Sequence, residues 1–177
     1  MTAVPPFAVS SPGISVDASA CDLDDLAPCG GVDVQVAAAD VRWAGLVERA
    51  VTSGWPGVER LGDLPGTVAD VVRENPEVDG QTPAETIASV RAWDRTEERA
   101  RTFAFVECEF GPGTSRFQEH LPDGRDRYEI HEVSFLFETG TRTAPIRDPE
   151  LAAALGIEPG ERVPLTEYAT RRTEAAR

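Results

Sequence analysis

The chain of 177 residues has no lysine, three cysteines, two histidines and one methionine. Each shortage removes a class of chemistry. All 17 basic residues are arginine, so Schiff-base catalysis and a lysine general base are excluded. Cys21, Cys29 and Cys108 are odd in number, and their spacing matches neither a zinc nor a redox motif. A reduced, cytoplasmic compartment is therefore expected, with the pairing of Cys21 and Cys29 left open. No apolar run approaches the roughly 18 residues of a membrane span, and the N-terminus lacks the basic stretch of a signal peptide. Positive charge is also short: the formal net charge is −14. That argues against nucleic acid and anionic membrane as partners, since both need a positive surface.

What is present is an ordinary globular composition, 41% hydrophobic and 27% charged. The abundance of Ala, Val, Gly, Pro and Arg fits a GC-rich gene. The chain is long enough for one domain with a core of its own. Residues 1–30, rich in Pro, Ser, Gly and Asp, are expected to form a partly disordered segment, with the first dozen poorly ordered and a short strand at 13–18. The acids Asp17, Asp22, Asp24 and Asp25 do not have the spacing of a calcium loop and read as a solvated acidic turn. No metal site is expected.

Residues 31–177 read as one α+β domain with a mostly antiparallel sheet and flanking helices. Residues 32–36 alternate as a half-buried strand. Asp40 is expected to open a helix that presents Trp43, Leu46, Val47, Ala50 and Val51 on one face and ends at Gly54. Residues 64–81 read as loop and turn, feeding a strand at Ile87–Asp94. A hairpin returns through residues 101–106, with Phe103 and Phe105 on one face. Residues 107–110 suggest a single helical turn, and 111–127 a long loop. The strongest strand is Tyr128–Phe137. Strict alternation puts His131, Val133, Phe135 and Phe137 on one face and Ile130 and Leu136 on the other, as in a central strand. Asp148 and Pro149 start a helix that stops at Gly156, and a last helix starts at Thr166.

With these residues set out, a resemblance emerges. Gly54-Trp55, Gly57, Glu59, Leu61, then Leu64-Pro65-Gly66-Thr67-Val68, Asn75, Gly80-Gln81 and residues 87–95 fall in order. They are similar to the flavin-binding core of UDP-N-acetylenolpyruvoylglucosamine reductases, the MurB (UDP-N-acetylmuramate dehydrogenase) family. Cys108, Phe110, Ser115 and Phe117 continue it, as do residues 128–137, 145–147 and 163–165, so that residues 30–172 are covered. The resemblance implies the fold of the second subdomain of a PCMH/MurB-type FAD-binding domain. It implies an ancestral FAD- and NADPH-dependent reduction in peptidoglycan synthesis.

The departures from the family are as informative. No glycine-rich phosphate loop lies ahead of residue 30, where the family carries one on its first flavin subdomain. The family's active-site arginine falls at Pro112-Gly113. Its serine acid and late glutamate belong to a C-terminal substrate domain that would begin near Arg177. Acids at 70, 74, 77 and 79 depart from the family's uncharged pattern in a segment that in the family lies against an anionic cofactor, where like charge weakens binding. FAD is therefore not expected to bind tightly, and Gly66, Thr67, Asn75, Gly80 and Gln81 are remnants of the family's flavin contacts.

Three readings follow. The first is a cofactor-independent enzyme of isomerase or cyclase type, acting on a small molecule in specialised metabolism. The second is a non-catalytic pseudoenzyme that binds a partner or a nucleotide sugar. The third is a divergent or partial FAD-dependent reductase. Candidate reacting groups are Ser115, Tyr128 and His131, and a site is expected where Thr67, Asn75, Gln81, Ser115 and Tyr128 converge. His131 reads as a satisfied sheet histidine and His120 as an exposed one. Tyr168 could serve as a hydrogen-bond donor. Arg125, Arg127, Arg142 and Arg147 are expected to pair with surplus acids. An edge strand left bare by the absent subdomain would favour a homodimer.

Overall fold

The computed structural model describes residues 8–18 and 31–175. Six strands form one antiparallel sheet: β1 (Ala8–Ser11), β2 (Ile14–Asp17), β3 (Val32–Ala37), β4 (Ile87–Asp94), β5 (Arg99–Ala104) and β6 (Tyr128–Phe137). Their spatial order is β1-β2-β3-β6-β4-β5. The helices are α1 (Trp43–Ser53), α2 (Val68–Glu74), α3 (Pro149–Leu155) and α4 (Leu165–Ala175). The excursion from β3 to β4 carries α1 and α2, and β6 then slots between those two strands. The expected α+β class and antiparallel sheet are what the chain forms. Among the described residues no helix is long and apolar enough to cross a membrane.

β6 is central, as expected, but its faces differ from strict alternation. Opposite Arg91 stands Glu132, and opposite Ala92 stands Ile130, so His131 is bulged out of register. A bulge adds one residue and resets the alternation. Tyr128, Ile130, Val133, Phe135 and Phe137 therefore all face the core, while Leu136 is 58% exposed. His131 is exposed rather than satisfied within the sheet, its Nε2 3.5 Å from Glu129 Oε1. A second shift between Ile87 and Ser89 lets Ile87, Val90 and Ala92 share the buried face of β4.

That face is covered by aromatic stacking and by α1. Trp55 stacks on Phe137 at 5.8 Å, Phe137 on Phe135 at 5.6 Å, and Trp43 tilts against Phe135 at 6.3 Å. Trp43 donates its indole N–H to Leu61 O at 2.8 Å, which satisfies its one polar atom inside the core. α1 begins at Trp43, with Arg42 as N-cap, not at Asp40; residues 38–40 form a turn. It ends at Gly54, whose left-handed φ of 73° closes the helix as expected. A second cluster packs Phe103, Phe117 and Tyr128 edge to face, with ring centroids 5.4–5.8 Å apart. Ile146, Ala152, Val163 and Tyr168 make a separate small core under α3 and α4.

Other expectations shift by a few residues. β5 ends at Ala104, so Phe105 lies in a 3-10 turn, 49% exposed, and does not share Phe103's face. Residues 8–11 are a paired edge strand rather than a disordered tail. Asp148 caps α3 by accepting from Leu151 N at 2.8 Å. Asp17 faces Asp33 across β2 and β3, and burial together with that neighbour pushes the Asp33 carboxyl above the usual range. Asp22, Asp24, Asp25, Cys21 and Cys29 lie outside the described residues.

The β4–β5 hairpin is tied by Asp94, whose side chain is fully buried. Its Oδ1 accepts from Thr96 N at 2.9 Å and from Arg127 Nε at 3.1 Å, and its Oδ2 accepts from Arg127 Nη2 at 2.9 Å. The Arg127 fork, aided by the turn amides, holds the carboxyl below its usual pKa. A lowered folded pKa stabilises above the unfolded value of about 4 and is lost as pH falls through the folded value. Asp94→Ala should therefore cost about 2–3 kcal/mol at neutral pH, because Arg127 keeps some solvent contact. The variant should also flatten the acid limb of the stability curve, checked by urea denaturation from pH 7 downward.

Candidate functional site

The 64–81 segment, expected as loop, contains α2. Thr67 and Asp70 cap it reciprocally, and Val68, Val71 and Val72 bury its apolar stripe. Asp70 Oδ2 accepts from Thr67 N at 2.8 Å and from Thr67 Oγ1 at 2.7 Å. Those two bonds hold the Asp70 carboxyl below its ordinary pKa. A Cβ at Gly66, whose φ is +98°, would lie 2.9 Å from Asp70 Oδ2. The space beside the glycine is thus filled by a carboxylate. Asn75 ends α2 in the left-handed conformation. Both ends of its amide are used, Nδ2 donating to Gly111 O at 2.9 Å and Oδ1 accepting from Ala84 N at 3.1 Å. Asp79 and Gly80 make the tight turn that pairs Val78 with Gln81. A cleft of about 440 Å³ lies along Leu64, Gly66, Asp70 and Glu74.

The expected convergence forms only in part. Ser115 and Tyr128 both attach to Arg73 near the end of α2. Ser115 Oγ donates to Arg73 O at 2.6 Å and accepts from Phe117 N at 3.2 Å. Arg73 donates to Tyr128 O at 3.4 Å and pairs with Asp126 at 2.9 Å. The Tyr128 hydroxyl is buried, with the Arg116 guanidinium as its neighbour. Its ring lies under the Arg127 guanidinium at 4.9 Å. Ser115 is a cap with no base beside it. His131 stands on the opposite, exposed face, and His120 is exposed beside Asp126 at 3.3 Å. Thr67 is consumed by Asp70, and Gln81 belongs to another cluster. Cys108 is no nucleophile: burial, and then Glu107, push its thiol up to about 12. Among the described residues no group of three or more His, Cys, Asp or Glu could hold a metal ion.

The cluster around Gln81 was missed by sequence reasoning. Glu59 is buried, accepting from Gly57 N at 2.6 Å and Ala144 N at 2.8 Å. Arg60 is 3% exposed. Its amide donates to Gln81 Oε1 at 2.9 Å, and its guanidinium to the carbonyls of Asp79, Ala144 and Pro145 at 3.2, 3.0 and 2.8 Å. Arg172 on α4 closes the cluster through Arg60 O and the Asp79 carboxylate, both at 3.1 Å. The nearby Tyr168 hydroxyl is buried, with the Arg172 guanidinium as its neighbour. The available signal was the apolar pair Val58 and Leu61 around two charged residues, which places that turn inside. Of the arginines expected to pair, Arg125 meets Asp123 at 2.7 Å and Arg127 meets Asp94 and Glu119, both at 2.9 Å. Arg142 bonds the carbonyl of Arg162, and Arg147 has no partner among the described residues.

No family model matches the chain. It is 40% identical over 155 residues to the UDP-N-acetylenolpyruvoylglucosamine reductase of Cutibacterium acnes, covering 88% of this chain and 38% of that protein. It is 35% identical over 153 residues to the reductase of the same name from Thermobifida fusca, covering 86% and 40%. For Streptomyces avermitilis the identity is 37% over 136 residues, covering 76% and 36%. The crystal structure of UDP-N-acetylenolpyruvylglucosamine reductase (MurB) from Thermus caldophilus has the same fold, with a TM-score of 0.53 at 20% identity over 80% of this chain and 41% of that one. The chain is therefore similar over most of its length to one segment of these reductases, and it spans about two fifths of their length.

Two outcomes follow from the geometry. Ser115→Ala should cost about 1 kcal/mol, from the lost cap on Phe117 N and the lost bond to the Arg73 carbonyl, which keeps Gln118 Nε2 as a donor at 3.2 Å, in thermal or urea unfolding. Iodoacetamide at mildly alkaline pH should leave Cys108 unmodified in the native protein and alkylate it after denaturation, read residue by residue by peptide mass mapping.

Proposed function

We propose that this chain serves as the antiparallel-sheet part of the flavin-binding region in an oxidoreductase of the UDP-N-acetylenolpyruvoylglucosamine reductase type. Its place would be peptidoglycan precursor synthesis, with FAD and NADPH as redox partners and further catalytic groups supplied from outside these 177 residues. The observation that carries this reading is the 40% identity over 88% of the chain.

The segment 64–81 does not itself fit the cofactor's diphosphate. Asp70 fills the space beside Gly66 and takes the Thr67 donors, and both ends of the Asn75 amide are spent on the fold. In this reading a glycine-rich subdomain of the family's kind holds the diphosphate, and the present chain supplies a wall. Donors already satisfied by a built-in carboxylate give a dianion nothing to bind and add like charge.

The same observation favours a second reading, in which the chain binds a small ligand without flavin, as a cofactor-independent isomerase or cyclase or as a non-catalytic binder. A chimera separates the two: residues 31–172 replace the matching segment of the Cutibacterium acnes reductase. FAD titration is followed by visible absorbance and NADPH oxidation with the enolpyruvyl nucleotide sugar. The reductase reading expects a yellow, active chimera with FAD affinity about tenfold below the parent, recovered in part by Asp70→Gly. A folded chimera that takes up no flavin, with or without Asp70→Gly, would overturn it in favour of the flavin-free reading.

A further inference from the structure

We propose that the cleft beside Arg60 is a binding site for a small oxyanion, a phosphate group with a short apolar substituent, independent of the reductase reading. The cleft has a volume of about 250 Å³. That is below the roughly 300–1,000 Å³ of sites for drug-sized ligands, so it suits one anionic group and not a whole dinucleotide.

Three arginines line this cleft, Arg60, Arg147 and Arg162. Arg60 sits at the back, 3% exposed, with only neutral carbonyls as partners and its Nε buried without one. No carboxylate lies within ion-pair distance of it among the described residues. A buried cation that carbonyls solvate keeps its whole charge, and an arriving anion is its missing counter-charge. Arg147 is exposed and makes no hydrogen bond or ion pair among the described residues. Arg162 is held by Thr143 O at 3.3 Å and only loosely by Glu138 at 3.8 Å. Two arginines can therefore turn toward a ligand without breaking a strong pair. In a chain of charge −14, whose arginines are mostly spent on acids, this is a local excess of positive charge.

The remaining walls set the ligand's other features. Pro56, Leu136 and Pro145 give an apolar side, and Leu136 is otherwise left 58% exposed. Glu85 and Glu138 also line the cleft. Glu85 accepts from Thr82 N at 3.3 Å, and Glu138 can release Arg162 when an anion arrives. Guanidinium groups bind phosphoryl and carboxylate oxygens in paired hydrogen bonds, and three arginines against two carboxylates leave a net positive charge for an oxyanion.

The test uses the intact chain at constant ionic strength. Inorganic phosphate and phenyl phosphate are titrated by calorimetry and thermal denaturation, with sodium chloride and sodium acetate as controls. The expected result is saturable stabilisation by both phosphates, stronger for phenyl phosphate and absent with chloride. Arg147→Ala should fold normally and bind about tenfold more weakly, whereas Arg91→Ala, which removes an equal charge from the outer sheet face, should bind as the parent does. Equal stabilisation by acetate would move the ligand class to carboxylates and overturn the phosphate assignment. No saturable binding, or equal weakening by Arg91→Ala, would overturn the site.

Discussion

The fold depends on β6 presenting five large side chains to one face of the sheet. β6 bonds to β3 on one side and β4 on the other, so both halves of the sheet take their register from it. A strand of ten residues in strict alternation would divide its apolar set between two faces. The bulge at His131 prevents this by putting Tyr128 and Ile130 on the same side as Val133, Phe135 and Phe137. Each such side chain is worth about 1.5–3 kcal/mol when buried, so the cost of one irregular residue is small beside what it gathers. His131 stands outside because it is the residue that the bulge displaces.

From that strand outward, much of the architecture was legible. Strand bounds at Ile87–Asp94 and Tyr128–Phe137 follow from β-branched and aromatic runs ending at turn residues. The stops at Gly54 and Gly156 follow from the left-handed conformation that glycine adopts cheaply. Two kinds of feature stayed hidden. Bulges leave no local signature, because the pattern is read by counting in twos and a bulge changes the count. Short helices are hidden as well. Residues 68–74 are too brief to show a full helical period, and α2 is revealed only by its reciprocal cap, Thr67 with Asp70, followed by three valines.

The site was less legible for a related reason. Asn75, Thr67 and Ser115 carry side chains that chemistry could use, and a sequence presents them as free donors and acceptors. In the fold each is spent on backbone groups at a helix end or turn. Asn75 holds Gly111 and the turn before β4; Ser115 holds the Arg73 carbonyl near the end of α2. Their correspondence with family positions therefore carries the shape of the segment and says little of its chemistry. Side chains that are short, polar and adjacent to turns are the ones most often absorbed in this way.

The reverse holds for charged residues in apolar surroundings. Glu59 and Arg60 lie between Val58 and Leu61 in a three-residue turn, where a sequence suggests solvent. The structure buries both, and treats them differently. Glu59 receives two backbone N–H groups, which neutralise a carboxylate well at short range. Arg60 receives carbonyls at its two terminal nitrogens, which leave its Nε unpartnered and its charge unopposed. Asp70 is the mirror case at the other end of the same segment, an anion fixed beside Gly66 by the Thr67 donors. One stretch of chain thus carries a closed negative end and an open positive one. The anion site proposed at Arg60 follows from that asymmetry, since the Gly66 end already holds a carboxylate of its own.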